Sequence, residues 1–136
     1  MAQHNEFGIL GEQEACTYLS KGNYRILERN WHSGHLEVDI IAEWFGEIVF
    51  VEVKTRRNEQ FAPAEFAVDI RKQEHLVKAA LAYLSENRLD APYRFDIITV
   101  VGTQPPFKIT HLRDAYTPET VRHNSRPQYK DFSRLI

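Results

Sequence analysis

Two carboxylates and a lysine stand where the sequence otherwise predicts apolar strands. Asp39 lies within the run LEVDIIA, and Glu52 and Lys54 lie within the next run, EIVFVEVKT. Two carboxylates a few ångströms apart repel each other unless a cation lies between them. Mg²⁺ would resolve that repulsion, because it prefers oxygen ligands and keeps several waters. The set suits metal-assisted hydrolysis of a phosphodiester, with Lys54 holding a metal-bound water or neutralising charge on the phosphate.

A further carboxylate, Glu12, belongs to a helix predicted over residues 5–21. Glu12 lies three and seven residues before Ala15 and Leu19, so it shares their apolar face. A carboxylate on that face points toward the core or a cleft rather than into open water. Glu12 can therefore complete the acidic cluster, directly or through water.

Alternation of apolar and polar residues predicts the strands that position these side chains. They cover residues 24–31, 36–42 and 47–55, and the turn at Phe45-Gly46 makes the last two an antiparallel hairpin. On the second strand, one face is predicted to carry Glu37, Asp39 and Ile41, and the other Leu36, Val38 and Ile40. On the third strand, one face carries Ile48, Phe50, Glu52 and Lys54, and the other Val49, Val51 and Val53. A strand this apolar on both faces is predicted to be central.

The rest of the chain predicts a loop over residues 58–67 and a long helix over 69–87 with Asp69 as its N-cap. Strands follow over residues 93–101 and 107–112, and a small helix could start at Thr117. The expected fold is α/β, a single domain of αβββαββ order with a mixed central sheet flanked by helices. We place that domain at residues 1–115 and expect residues 116–136 to form a basic, partly disordered tail.

Composition narrows the class of protein. The chain has 136 residues, 43% of them hydrophobic and 26% charged, which is typical of one globular domain. Its net charge of −2 argues against coating nucleic acid by bulk electrostatics. Cys16 is the only cysteine, so no internal disulfide can form. No signal peptide or membrane-spanning run is evident, and a cytoplasmic protein is expected. Basic residues nevertheless cluster locally, at Lys54, Arg56, Arg57, Arg71, Lys72, Arg122, Arg126, Lys130 and Arg134.

Several short motifs together resemble a known family. They are Gly8-Ile-Leu-Gly11-Glu12-Gln-Glu-Ala15, Arg29-Asn30, Glu37-Val-Asp39-Ile-Ile-Ala42, Val49-Phe-Val-Glu52-Val-Lys54-Thr-Arg56, Lys72, Ala79-Ala80 with Tyr83-Leu84, and Arg94-Phe95-Asp96. Over about residues 5–101 the layout resembles the PD-(D/E)xK, restriction-endonuclease-like nucleases, in the arrangement of archaeal Holliday-junction resolvases. It is more closely similar to the bacterial family called UPF0102 or YraN.

The resemblance implies roles for individual residues. Asp39 and Glu52 would bind Mg²⁺ or Mn²⁺ with the Val53 carbonyl, Lys54 would be catalytic, and Glu12 would be the helix carboxylate of the metal site. Contacts to nucleic acid are expected from Arg56, Arg57, Lys72 and the acidic Glu37 beside the site. The implied activity is that of a DNA endonuclease acting on branched or repair intermediates, and the fold analogy implies a homodimer.

Other interpretations remain open at this stage. The EVK segment could be an exposed, hydrogen-bonded strand face. The same fold could bind nucleic acid or a protein without turnover. His32 and His35 could contribute to a metal site, although a loop pair without a third ligand is usually exposed. Trp31, Trp44 and Phe45 could stack on bases, but core or hairpin-tip packing is the simpler interpretation.

Overall fold

The computed structural model of the chain describes residues 2–58 and 68–125. Its elements are α1 (Ala2–Lys21), β1 (Arg25–Ser33), β2 (Leu36–Trp44), β3 (Glu47–Arg56), α2 (Ile70–Glu86), β4 (Tyr93–Val101), β5 (Lys108–Tyr116) and α3 (Pro118–Ser125). The strands form one sheet in the order β1-β2-β3-β4-β5. Only the β3–β4 pair is parallel. The prediction of a mixed α/β domain is confirmed.

The sheet is covered on both faces. On one face, Ala15 and Leu19 of α1 pack with Val49 and Val51 of β3. On the other, α2 and α3 cover a second cluster of buried residues, namely Ile48, Phe50, Leu76, Ala80, Tyr83, Phe95 and Val121 among others. The prediction that β3 is a central strand, apolar on both faces, is confirmed because each face packs against a helix.

The N-cap predicted from the sequence gives the correct start of α2. The Asp69 carboxylate accepts a hydrogen bond from the Lys72 N–H at 2.9 Å, which makes Asp69 the predicted N-cap. The small helix predicted near Thr117 is present as α3, and the Thr117 hydroxyl accepts from the Thr120 N–H at 3.1 Å. The last strand was predicted too short. Pairing of Tyr116 with Phe95 extends β5 to Tyr116 across a register shift that breaks the alternation.

The predicted faces of β2 need correction. Val38 and Ile41 pack together in the cluster under α2, whereas Ile40 and Ala42 pack under α1. Strict alternation would have put Val38 and Ile41 on opposite faces, so the pattern is wrong near Asp39. The alternation breaks where the β2–β3 pairing ends, just before Ile40, and β1 is irregular at the same level, since Asn30 has a left-handed φ of 52°. Asparagine tolerates that conformation better than most residues.

Two of the predictions fall outside the described residues. They are the loop interior at residues 59–67 and the order of residues 126–136. Among the helices in the described ranges, none combines the length and apolar character needed to cross a membrane.

Gly11 sets how closely α1 approaches the sheet. A Cβ at position 11 would lie 2.2 Å from the Thr55 Oγ1 and 3.1 Å from its Cγ2, while one at Gly8 would meet nothing within 4 Å. Only a residue without a side chain lets α1 pass this close to β3. The contact therefore fixes the position of the neighbouring Glu12 above the sheet.

We expect Gly11→Ala to lower the free energy of unfolding by about 1–3 kcal/mol through overpacking. The matched variant Gly8→Ala should be neutral or stabilising by up to about 1 kcal/mol, because alanine favours the helix. Urea denaturation followed by circular dichroism measures both. Truncation of Thr55 in Gly11→Ala/Thr55→Ala should restore part of the loss. Equal stabilities of the two single variants would contradict the close approach.

Candidate functional site

Asp39 lies at the point where β2 separates from β3. The paired residues of these strands run from Trp44 with Glu47 to Ile40 with Val51. Asp39, which comes just before Ile40 in the chain, is the first residue of β2 beyond this pairing. Its Oδ2 accepts a hydrogen bond from the Val53 N–H at 2.9 Å. The carboxylate thereby takes the place of a β2 backbone carbonyl as the acceptor for this β3 N–H. Asp39 is thus held at a fork between two strands, a setting in which irregular strand geometry often redirects a side chain.

Glu52 is buried on the α2 side of the sheet, with 6% of its surface exposed. Two lysines approach it: Lys54 Nζ lies 3.8 Å and Lys72 Nζ 3.9 Å from Glu52 Oε2. Lys54 comes from the same strand, two residues on, and Lys72 from the first turn of α2. The exposed-face interpretation of the EVK segment does not hold for Glu52.

The environment of Glu52 favours its protonated form. Burial raises the pKa of Glu52 to about 8, helped by the charge of Asp39 and a hydrogen bond with its carboxyl, while Lys72 and Lys54 oppose the rise. The Glu52 carboxyl therefore holds its proton above its ordinary range when no divalent cation lies beside it.

Glu12 reaches the same cluster from α1. It is partly buried, and burial together with the charge of Asp39 raises its pKa, whereas a hydrogen bond from Asn30 and the charge of Arg29 act in the opposite direction. The structure thus places Glu12 and Glu52 each near Asp39, Glu12 from α1 and Glu52 from β3. Asp39 interacts electrostatically with both of the other carboxylates.

The donor set suits a hydrated cation better than a closed cage. Across the described ranges, no group of three or more His, Cys, Asp or Glu residues is arranged to hold a metal ion. Mg²⁺ needs only one or two carboxylates, because it keeps several of its waters. The buried Thr99 Oγ1 and Tyr116 Oη have no hydrogen-bond partner in the described part of the chain. Thr99 pairs with Lys54, and the Glu52 charge helps burial raise the pKa of Tyr116. Asp39 and Glu52, with polar groups nearby for bound water, fit such an ion.

The predicted nucleic-acid contacts are divided between the site and its rim. Lys72 is part of the cluster through Glu52. Arg56 and Arg57 lie at and just beyond the end of β3, where the Arg57 guanidinium sits 5.8 Å from the Phe7 ring centroid. Glu37 is exposed at the rim and pairs with His32 Nε2 at 3.0 Å.

A histidine that was not predicted also lies at this rim. The Glu37 N–H donates to His75 Nε2 at 3.4 Å, and the His75 and His35 ring centroids are 6.1 Å apart. Burial and the charges of Lys72 and His35 lower the pKa of His75. The signal for His75 was present in its spacing, since it follows Lys72 by three residues on α2 and so shares its face.

A second polar cluster lies on the other face of β4, and sequence reasoning gave it no role. The Asp96 carboxylate is fully buried and accepts from Arg94 Nε at 2.9 Å, from Arg94 Nη2 at 3.1 Å and from the Asp114 N–H at 3.0 Å. His111 Nε2 lies 2.7 Å from the same carboxylate. Burial alone would raise the pKa of Asp96, but the hydrogen bonds from His111, Arg94 and the Asp114 N–H hold it below its usual range.

This cluster ties several elements together. Arg94 Nη1 donates to Glu47 Oε1 at 2.6 Å and Nη2 to the Tyr24 hydroxyl at 2.7 Å. The Tyr18 hydroxyl of α1 lies 3.0 Å from His111 Nδ1. A buried charge is tolerated when it is paired and fully hydrogen-bonded, as Asp96 is here. The cluster therefore joins α1, β3, β4 and β5 on the sheet face opposite Glu52.

The five-stranded mixed sheet and the three helices form a mixed α/β domain that is consistent with a restriction-endonuclease-like fold. The profile of the uncharacterised protein family UPF0102 matches residues 11–100, and the chain belongs to that family. A UPF0102 protein of Phocaeicola vulgatus is 48% identical over 118 residues, covering 87% of this chain and 98% of the relative. A UPF0102 protein of Bacteroides thetaiotaomicron is 49% identical with the same coverage. The family match includes Glu12, Asp39, Glu52, Lys54 and Lys72.

The raised pKa of Glu52 predicts how stability depends on pH without metal. The folded state holds this proton up to about pH 8, whereas the unfolded chain releases it near the ordinary value of 4.5. Stability should therefore fall as pH rises between those two values, because the unfolded state loses its proton first. In EDTA, the melting temperature at pH 6 should exceed that at pH 8.

Glu52→Gln isolates this contribution, because histidines also titrate in the same range. The variant should remove most of the difference in melting temperature between pH 6 and pH 8. A wild-type protein and a Glu52→Gln variant with superimposable pH profiles would contradict the burial of this carboxyl beside Asp39.

Proposed function

We propose that this protein is a metal-dependent endonuclease that hydrolyses DNA phosphodiesters. The observation that supports the proposal most strongly is the buried Glu52 carboxyl, which is paired with Asp39 and approached by two lysines. Like charges held together in a low-dielectric site destabilise the folded chain unless a ligand compensates for them. Such costs are typical of functional sites rather than of structural ion pairs.

Asp39 and Glu52 would hold Mg²⁺ or Mn²⁺, with the Val53 carbonyl as a third ligand suggested by the family resemblance. The ion would supply a water of lowered pKa and a Lewis acid at the phosphate. Lys54 would hold the attacking water or neutralise charge that develops on the phosphate. Glu12, on the α1 side of Asp39, belongs to the metal site directly or through water.

Basic residues near the site would hold the backbone of the nucleic acid. Lys72 approaches the scissile phosphate from the first turn of α2, and Arg56 and Arg57 at the end of β3 contact neighbouring phosphates. The negative charge of Glu37, at the edge of the site, restricts the directions from which the nucleic-acid backbone can approach. These local cations compensate for the net charge of −2, which would otherwise repel the polyanion.

The substrate is proposed to be a branched or repair intermediate and the working unit a homodimer. Both points come from the resemblance to resolvases, in which two sites make paired cuts. The cleavage panel described below separates branched from linear substrates.

A non-catalytic module that binds nucleic acid or a protein is the second candidate. One observation favours it: no three metal-binding side chains converge in the part of the chain that the structure describes. If the protein is such a binding module, the wild type would cut no substrate. Neutralising Lys54 would then leave binding to a four-way junction intact.

Purified protein should cleave DNA only with Mn²⁺ or Mg²⁺, and Lys54→Ala should lower the rate by about 10²-fold or more. Labelled linear duplex, single strand, flap and four-way junction are the substrates, and EDTA is the metal-free control. Lys78→Ala, an exposed lysine on the same helix as Lys72, is the matched control and should cut normally. Absence of cleavage with every substrate, with junction binding retained by Lys54→Ala, would favour the binding module.

Asp39→Asn should raise the melting temperature of the metal-free protein, because it removes repulsion while keeping an acceptor for the Val53 N–H. It should also abolish the stabilisation by Mn²⁺, which for the wild type reaches about 2.7 kcal/mol at a hundredfold excess over Kd. Thermal melts in EDTA and across a Mn²⁺ titration measure both effects. Asp90→Asn, an exposed aspartate between α2 and β4, is the control. Identical metal responses of wild type and Asp39→Asn would exclude Asp39 as a ligand.

A further inference from the structure

The β2–β3 turn carries an aromatic side chain exposed to solvent. Phe45 is 80% exposed, which makes it the most exposed large hydrophobic residue among those described. One edge of its ring meets Trp44 at a centroid distance of 4.9 Å, and Trp44 in turn stacks on Tyr24 at 5.4 Å. We call Tyr24, Trp44, Phe45 and the nearby Arg113 the aromatic tip.

The backbone at the turn makes the choice of phenylalanine costly. Phe45 has φ 49° and the following Gly46 has φ 87°. Positive φ at both central positions is the pattern of a type I′ turn, which favours Asn-Gly or Gly-Gly. A bulky side chain in the left-handed region is strained, and an exposed phenyl ring is poorly hydrated. Strain retained at an exposed position is an observation that points to function.

Cations accompany these rings. The Arg113 guanidinium lies 5.1 Å from the Trp44 ring centroid and that of Arg94 5.3 Å. Arg94 is buried and bound to Asp96, whereas Arg113 is exposed and forms no ion pair with a residue of the described ranges. Arg25 is also exposed, and its charge is already paired with Glu43. Arg113 is therefore the cation at the tip that is available to a ligand.

We propose that the aromatic tip binds an unpaired nucleobase, which stacks on Phe45 while Arg113 contacts the adjacent phosphate. Every base has a π-face, so stacking of this kind is insensitive to sequence, and a flanking arginine supplies the electrostatic contribution. A purely hydrophobic protein contact would not call for a cation held against the aromatic stack. The combination favours nucleic acid over a protein partner.

The position of the aromatic tip indicates which DNA substrate the proposed nuclease would prefer. This part of the inference rests on the proposed function. Glu47 and Glu52 stand at the two ends of the β3 segment between the tip and the metal site, and that segment spans about 17 Å at the usual strand rise. This length corresponds to about five nucleotides at the rise of one DNA strand. Because Trp44 packs on the α1 side of the sheet and Glu52 faces α2, a nucleic acid that reaches both passes around the sheet, so the unpaired bases would lie at least about five nucleotides from the cut.

The test measures binding without cleavage. Fluorescence anisotropy with a labelled oligothymidine of about fifteen residues, in EDTA and low salt, should show about tenfold weaker binding by Phe45→Asn. The same variant should melt at an equal or higher temperature than the wild type, because asparagine suits the left-handed turn position. Phe45→Tyr should retain the wild-type affinity. Leu81→Asn, which removes a 52% exposed leucine from α2, should also bind normally.

An unchanged affinity of Phe45→Asn for the oligothymidine would overturn the proposal, as would an equal loss of affinity for blunt duplex. Loss of self-association in sedimentation, with unchanged affinity for the oligothymidine, would assign the tip to a protein contact instead. Failure of the nuclease proposal is distinguishable, because it would leave the effect of Phe45→Asn on binding intact while no variant cuts DNA. Conversely, metal-dependent cutting with normal binding by Phe45→Asn would refute only the aromatic tip.

Discussion

The burial of Glu52 in the central strand is the constraint to which the surrounding structure responds. A carboxyl that is 6% exposed would normally be neutral or paired. Here Lys54 and Lys72 approach to 3.8 and 3.9 Å, while burial and the charge of Asp39 act against them by raising the pKa of Glu52. The lysines compensate for only part of the repulsion. The proposed divalent-cation site is assigned here because of this remaining imbalance of charge.

The buried carboxyls on the two faces of the sheet differ in how completely they are hydrogen-bonded and paired. Asp96, with no exposed surface, accepts hydrogen bonds from Arg94 and from backbone, and its pKa is held low. Within residues 2–58 and 68–125, Glu52 has no arginine partner of this kind, and its pKa is raised to about 8. A fully paired carboxylate behaves as a structural tie, whereas an underpaired one can exchange its proton for a metal ion. This contrast is the reason for assigning Glu52, rather than Asp96, to the proposed site.

Individual residues show how much of the structure could be predicted from the local sequence pattern. The alternation of β3 predicted both its central position and the inward face of Glu52, because a strand with two apolar faces must be covered on both. The N-cap role of Asp69 was also readable, since capping depends on residues three apart. The faces of β2 were mispredicted at Val38 and Ile41, because the strand leaves its partner at Asp39. The extension of β5 to Tyr116 was missed for a related reason, a register shift beside Phe95.

The sequence by itself determined the elements, the mixed α/β class, the family, and the candidate residues Glu12, Asp39, Glu52 and Lys54. These follow from periodicity, caps and short motifs, which act between neighbours along the chain. Only the tertiary structure placed Lys72 against Glu52, joined Asp96 to His111, and packed Arg113 against Trp44. Those relations depend on strand register and on helices packing across the sheet. They are contacts between segments distant in sequence, which no local pattern encodes.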